Sequence, residues 1–430
     1  MRTYKVLVFP GGTEIGLEIH RALYQSKDVR LYSAGLDGSN HAPYVFARHF
    51  SIPSIYDSSW VDSLNELITE QGIDYVFPAF DDVIVALAQN AHRIKARIVT
   101  SPLETCLVTR SKSQTYRSLA DILPVPTLYN NELGAVDSYP AFVKPDKGQG
   151  SQHTQVVTSQ EQLSRALEAS AVRGETIVLE YLPGEEYTVD CFSDRDRGLL
   201  FCRGRQRIRV KSGIAMDSRP AHDDVFVEYA NAISRKLIFH GAWFFQLKKD
   251  RYGVYKLLEI APRIAGTMAV HRVQGVNFPL LSIYEQERIP IEILANNVYV
   301  EIDRALVNRY RHELQYSAIY VDLDDTLILN GKVNVTLIRL LYQCVNAGIP
   351  IALLTKHAAD LHQTLRRHRL IGIFDELIHV QRSARKSDYI REKDAILIDD
   401  SFSERKMVSE QLGILTFDSS MVEMLLDERV

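Results

Sequence analysis

Tyr4-Lys5-Val6-Leu7-Val8-Phe9, followed at once by Pro10-Gly11-Gly12 and then by apolar positions at Ile15, Ile19 and Leu23, sets the class of this chain. The β-branched and aromatic run reads as a strand, the Pro-Gly-Gly as a tight turn, and the fourfold apolar spacing as a helix. Working outward, the alternation recurs: RLYSAG at 30–35, a helical stretch over 60–71, DYVFPAF at 74–80, a helix over 82–96 and the strand RIVTS at 97–101. Such alternation predicts a parallel, doubly wound, Rossmann-like sheet over residues 1–103.

Beyond 104 the character changes. A helix leads to LPVPTLY, whose prolines hold the chain extended. From AFVKP onward come VLEYL, YTVDCF, LLFCRGRQRIRV, AWFFQLKK and YKLLEIA, antiparallel in style, which predict a two-lobed α+β domain over 104–297. A linker over 298–315, with a short helix holding Leu306 to Leu314, leads to SAIYVDLDDTLIL. IPIALLT, ELIHV and AILIDD then predict a second α/β domain over 316–430.

At 430 residues the chain exceeds what one hydrophobic core supports, in keeping with several domains. Its net charge of -4 offers no electrostatic reason for a nucleic-acid partner. Cys106, Cys191, Cys202 and Cys344 lie far apart, without the spacing of a disulfide framework or a zinc site. With no run of about 18 apolar residues and no signal-peptide pattern, a cytoplasmic protein without a membrane partner is expected.

Asp322 and Asp324 stand two residues apart just beyond an apolar strand, an arrangement in which one carboxylate attacks a phosphoryl group and the other moves a proton. Thr355 ends IALLT, Lys386 lies in RKSDYI, and Asp399-Asp400 end AILIDD. A hydroxyl, an ammonium and further carboxylates should therefore meet at the carboxyl edge of one sheet, where open α/β folds hold ligands. Charge divides the labour. Asp322 would be the nucleophile and Asp324 the general acid/base, with Thr355 and Lys386 on the phosphoryl oxygens. Asp322, Asp324, Asp399 and Asp400 are the oxygen donors available to Mg²⁺. This ordered set resembles the haloacid-dehalogenase (HAD) superfamily. The resemblance implies a HAD-like Rossmannoid domain using magnesium and an aspartyl-phosphate. The spacing of about 30 residues between its first three motifs leaves room only for a minimal cap.

In the central region Lys144 ends the strand AFVKP, and Asp146-Lys147-Gly148-Gln149-Gly150-Ser151 follows. A lysine with a glycine-containing loop can neutralise and wrap phosphates, although such a turn taken alone is more often a plain hairpin. Ile177 to Asp190 then runs from strand through an acidic turn into strand. Backbone groups at Glu180, Tyr181 and Leu182 suit an adenine edge there, and Glu186 could accept from ribose hydroxyls. Gln246 and Glu259 are oxygen donors on neighbouring strands, and Arg263 could meet a phosphate bidentately. Together with Lys112 in VTRSKSQTY, this series is similar to the ATP-grasp superfamily over about 1–290. It is most like the carbamoyl-phosphate-synthase-type branch, which includes relatives encoded near tellurite-resistance-type (Ter) systems. The resemblance implies ATP, Mg²⁺ and an acyl-phosphate from which a nucleophile displaces phosphate. Where the family commonly reads Glu-x-Asn-Pro-Arg, this chain has Ala261, which cannot ligate a metal.

Other features divide between two accounts. Arg203, Arg205, Arg207, Arg209 and Lys211 would share one face of a strand, facing either an anion or solvent. Gly11-Gly12-Thr13-Glu14-Ile15-Gly16 departs from GxGxxG and suits substrate contact or turn chemistry. Asp81-Asp82 could touch substrate or cap a helix. His240 and His271 read as packing or surface residues, Trp60 and Trp243 as core. The expected protein is thus a bifunctional ATP-dependent ligase and Mg²⁺ phosphohydrolase. Its partners would be small carboxylate, amine and phosphoester molecules, and it could form a homodimer. The alternatives are a non-catalytic C-terminal module and a kinase rather than a ligase.

Overall fold

The computed structural model describes residues 3–129, 136–148, 150, 153–170 and 175–429, which form two compact units, Met1–Leu306 and Val307–Arg429. The first begins with a parallel sheet ordered β3-β2-β1-β4-β5: β1 (Tyr4–Phe9), β2 (Val29–Gly35), β3 (His49–Ser51), β4 (Tyr75–Pro78) and β5 (Arg97–Ile98). Helices α1 (Glu14–Leu23), α2 (Trp60–Gln71) and α3 (Asp81–Gln89) connect them. Thr13 caps α1 by accepting from Gly16 N, which is why the helix starts directly after the glycine turn. α3 is shorter than the helical pattern over 82–96 because Asn90 closes it, its side chain donating to Ala86 O.

Helices α4 (Leu103–Arg110) and α5 (Lys112–Leu119) lead to a four-stranded sheet ordered β6-β9-β7-β8. Its strands are β6 (Leu128–Tyr129), β7 (Ala141–Pro145), β8 (Gln155–Val157) and, after α6 (Gln160–Ser170), β9 (Thr176–Glu180). A larger antiparallel sheet follows: β10 (Glu186–Asp194), β11 (Gly198–Lys211), β12 (Ile214–Ala221), then past α7 (Asp224–Lys236) come β13 (Gly241–Lys249) and β14 (Tyr255–Ala261). After α8 (Ala269–Arg272) and α9 (Phe278–Gln286), β15 (Ile302–Asp303) completes the order β14-β13-β10-β11-β12-β15. β12, IAMDSRPA, has little strand character and is held by its ladder to β11, a tertiary effect. One core joins Val6, Val8, Ile19 and Leu23 to Phe192, Phe244, Phe278 and Ile283, fixing the first sheet against the large one. Trp243 is core, stacked on Phe239 with its indole N–H on Ser193 Oγ, and Trp60 is buried as well.

The helix expected over Leu306 to Leu314 is absent: these residues are irregular, and Leu306 is 98% exposed. Nine residues do not hold a helix in water unless an apolar stripe packs, and here Leu314 packs against a core while Leu306, Val307 and Tyr310 are exposed.

The second unit has a five-stranded, all-parallel sheet ordered β20-β19-β16-β21-β22. Here β16 is Ile319–Val321, β17 (Ile328–Leu329) and β18 (Lys332–Val333) form a small hairpin, and α10 (Val335–Ala347) precedes β19 (Ile351–Thr355). α11 (Leu361–Arg367), β20 (Glu376–His379), β21 (Ile396–Ile398), α12 (Phe402–Leu412) and β22 (Leu415–Phe417) follow. Asn334, Asp360 and Ser401 cap α10, α11 and α12 by accepting from their first-turn N–H groups. Apolar side chains cover both faces of this short sheet, as a parallel sheet requires.

Candidate active sites

In the first unit a cavity of about 170 Å³ lies between the four- and six-stranded sheets. Lys112, Lys144, Gly148, Gly150, Glu180, Tyr181, Leu182, Glu186, Gln246 and Glu259 all line it. Ser111 caps α5 and donates to Asp146 Oδ2, while Ser113 N donates to Asp146 Oδ1. This places Lys112 at the loop after β7, where its Nζ donates to Gly148 O at 2.8 Å. Gln149 and Ser151 of that loop lie outside the described residues. Lys144 Nζ donates to Tyr116 Oη (2.9 Å), which in turn donates to Leu258 O (2.7 Å). Burial, reinforced by the charge of Lys112, pushes the Lys144 ammonium down to about 7.

The turn from β9 to β10 passes close to β13. A Cβ on Gly184 would come within 2.6 Å of Lys249 Cβ, so only glycine lets the turn approach. The Glu180 carboxylate is engaged by Thr127 and Lys256, and residues 180–182 line the cavity. Glu186 Oε1 lies 2.8 Å from Arg207 Nε. Gln246 and Glu259 are register partners on β13 and β14, so their side chains project together. Two adjacent oxygen donors suit a hard divalent cation such as Mg²⁺; Ala261, buried, adds none.

Beyond Gln246, Glu259 and Arg207 opens a second cavity of about 590 Å³. Arg263 lines this one rather than the smaller, with Nε on Asp81 Oδ1 at 2.6 Å and its guanidinium over Phe244. Asp81 is not a cap: Phe80 precedes α3 and offers no side-chain bond, and the two aspartates pair instead with Arg263 and Arg110. The five-cation face on β11 is broken by register shifts at Arg207/Arg209 and Arg209/Val210. Arg205 and Arg207 reach the large cavity, whereas Arg209 is exposed and pairs with Asp303, and Lys211 is exposed. Arg205 is 1% exposed and bonds Asp190, whose other neighbour is the buried His271, a packing residue rather than a surface one. Glu14 and Arg304 also line the cavity. Sequence reasoning noticed Glu14 only as part of a glycine turn and missed Arg304, which no motif marks.

In the second unit Asp322 and Asp399 follow β16 and β21, which pair Val321 to Ile398 in register. Lys386 Nζ, buried, donates to Asp322 Oδ1 (2.6 Å) and Asp399 Oδ2 (2.5 Å). Oxygens of Asp322, Asp399 and Asp400 lie within 4.8 Å of one another. Burial raises Asp322 to about 6; the two carboxylates hold Lys386 above its ordinary value although burial opposes them. Thr355 is fully buried at the end of β19, and its Oγ1 has no partner among the described residues. An all-oxygen set, with an unpartnered hydroxyl ending the strand that pairs with β16, fits a divalent cation and an anion. Asp324 does not join the cluster: its half-exposed carboxylate bonds His357 Nδ1 at 2.9 Å, and His357 Nε2 meets Thr364 Oγ1. His357 was not foreseen, although it stands two residues past Thr355 in the same strand-end segment.

A family model described as "ATP-grasp in the biosynthetic pathway with Ter operon" matches residues 173–302. The first unit contains an ATP-grasp domain. The chain resembles solved structures at a level that speaks for fold alone. One is the biotin carboxylase domain of *Hydrogenobacter thermophilus* 2-oxoglutarate carboxylase, with MgADP and bicarbonate (TM-score 0.57, 14% identity, 70% of this chain and 74% of that one). Another is *Staphylococcus aureus* N5-carboxyaminoimidazole synthetase with ADP (0.56, 15%, 69% and 80%). A third is the L-amino acid ligase of *Bacillus licheniformis* (0.51, 18%, 68% and 76%). No curated protein matches the chain. Among the described residues no helix is long and apolar enough to cross a membrane.

Proposed function

We propose that the first unit is an ATP- and Mg²⁺-dependent ligase that activates a small carboxylate as an acyl-phosphate for attack by an amine. The observation that carries this reading is the convergence of Lys112, Lys144, Glu186, Gln246 and Glu259, spread over some 150 residues, on one cavity. Lys144, buried and bonded to no carboxylate among the described residues, is a ready counter-charge for phosphate oxygens. Residues 180–182 offer backbone to a base, and Gln246 with Glu259 would hold Mg²⁺, which when bound offsets phosphate charge. The larger cavity, sharing Arg207, Gln246 and Glu259, receives the carboxylate. The solved relatives bound to ADP, one of them with magnesium, agree. The test is nucleotide binding and ADP release by the full chain across carboxylates and amines, with Lys144→Met as control. Absence of MgATP binding would end this reading, and ADP formed with a phosphorylated product but no amide would make the unit a kinase.

The second unit we read as a HAD-type phosphohydrolase: Asp322 placed to attack, Asp324 with His357 to move a proton, Thr355 and Lys386 for phosphoryl oxygens. Its support is the carboxylate cluster around Lys386. Magnesium-dependent hydrolysis of an aryl phosphate, lost in Asp322→Asn, is expected. No turnover above background would leave a non-catalytic module.

A further inference from the structure

Most charges around the 590 Å³ cavity cancel in pairs: Arg205 with Asp190, Arg207 with Glu186, Arg263 with Asp81. Glu259 belongs with Gln246 at the boundary with the nucleotide cavity. Two opposite charges are left over, Arg304 and Glu14. The backbone N–H of Arg304 bonds Met216 O, but its guanidinium has no acceptor among the described residues. Of the carboxylates nearest to it, Glu18 is already gripped by Arg272 at 2.6 and 3.3 Å. Glu14 forms no ion pair with Arg304 either, yet the two converge on one point. A Cβ built on Gly266 would lie 3.2 and 3.3 Å from Arg304 Nη1 and Nη2 and 3.3 Å from Glu14 Cγ. Two free side chains so close in a half-buried wall would be expected to close into a salt bridge if neutralising each other were their role. Instead they stand apart over a residue that has no side chain, with the cavity before them.

We propose that this end of the cavity binds the zwitterionic head of an α-amino acid, its carboxylate on Arg304 and its ammonium on Glu14. A guanidinium fork and a carboxylate side by side are the complement of a carboxylate and an ammonium on one carbon. Gly266 keeps the floor open, and the wall shared with Gln246 and Glu259 lies at the other end, where the substrate's remaining atoms meet the nucleotide. Three separate segments build the subsite: the first residue of α1, the residues after β14, and the residue after β15. The proposal rests on the ligase reading for its nucleotide end only.

The test uses the full chain saturated with MgADP and a panel of L- and D-amino acids. Each is compared with the 2-hydroxy acid that lacks its ammonium and the primary amine that lacks its carboxylate, binding being read by calorimetry. At least one amino acid binds, and both analogues bind roughly 10- to 100-fold more weakly, the loss expected for one charged hydrogen-bonding partner. Glu14→Gln and Arg304→Gln each weaken the amino acid by a similar factor and leave MgADP affinity unchanged, which also shows that they fold. Gly266→Ala weakens it too, by displacing both side chains. Equal binding of the hydroxy acid, no amino-acid binding, or affinity indifferent to both charge variants would overturn the proposal. If wild type binds no MgADP, the ligase reading falls as well; amino-acid failure with MgADP retained sinks the subsite alone.

Discussion

Two buried lysines, Lys144 in the first unit and Lys386 in the second, are driven in opposite directions. Lys144 sits against a phenol and within the field of Lys112, and burial takes it down to about 7. Lys386 is clasped by Asp322 and Asp399 and is held above its usual value. The same side chain thus reports what each site lacks. The first has cationic charge that no carboxylate among the described residues bonds and calls for an anion; the second has two carboxylates on one ammonium with a third, Asp400, close to them, and calls for a cation.

The sharpest way to break this contrast is to remove each lysine. Lys386→Met leaves two buried carboxylates facing each other, so local stability should fall by about 3–5 kcal/mol. Accelerated hydrogen exchange in β16 and β21, partly reversed by Mg²⁺, is the measurement. Lys144→Met, by contrast, should leave exchange in β7 unchanged or slower and weaken MgADP binding by about 1.5–3 kcal/mol. Equal destabilisation by the two substitutions would show that the lysines do the same work.

The pH dependence has opposite signs. Because Lys144 is more acidic folded than unfolded, its unfavourable contribution is relieved as pH rises from about 7 toward the unfolded value near 10.4, stability gaining at most about 1.4 kcal/mol per pH unit. Lys386 contributes stability that is complete below about 10.4 and lost as pH rises through its higher folded value. Nucleotide binding should therefore take up protons at pH 8, seen as buffer-dependent calorimetric heats, and Lys144→Met should abolish the uptake. The smallest effect is expected for Thr355→Val. With no bond to lose among the described residues, it should shift stability by less than about 1 kcal/mol while reducing phosphohydrolysis.

Much of the fold was legible because it is written locally. The 4–9 run and the glycine turn marked β1 and α1, and four strand-end motifs marked the second site, since parallel sheets gather strand ends at one edge. β12 was invisible: MDSRPA has no strand pattern and is a strand only because β11 pairs with it. Arg263 could be named as a cation but not oriented, since its partner Asp81 is 182 residues away. The even spacing on β11 likewise concealed the bulge that turns Arg209 outward.

From sequence alone came the inventory: which residue types stand at strand ends, and from it the expectation of two phosphate chemistries. Residue type and local period depend on neighbours within a turn or two, so they survive in one dimension. Which charges are spent in pairs and which stay unspent was decided only by tertiary structure. An ion pair depends on a few ångströms of separation between segments the chain brings together late, and so Glu14, Gly266 and Arg304 became one place only once folded.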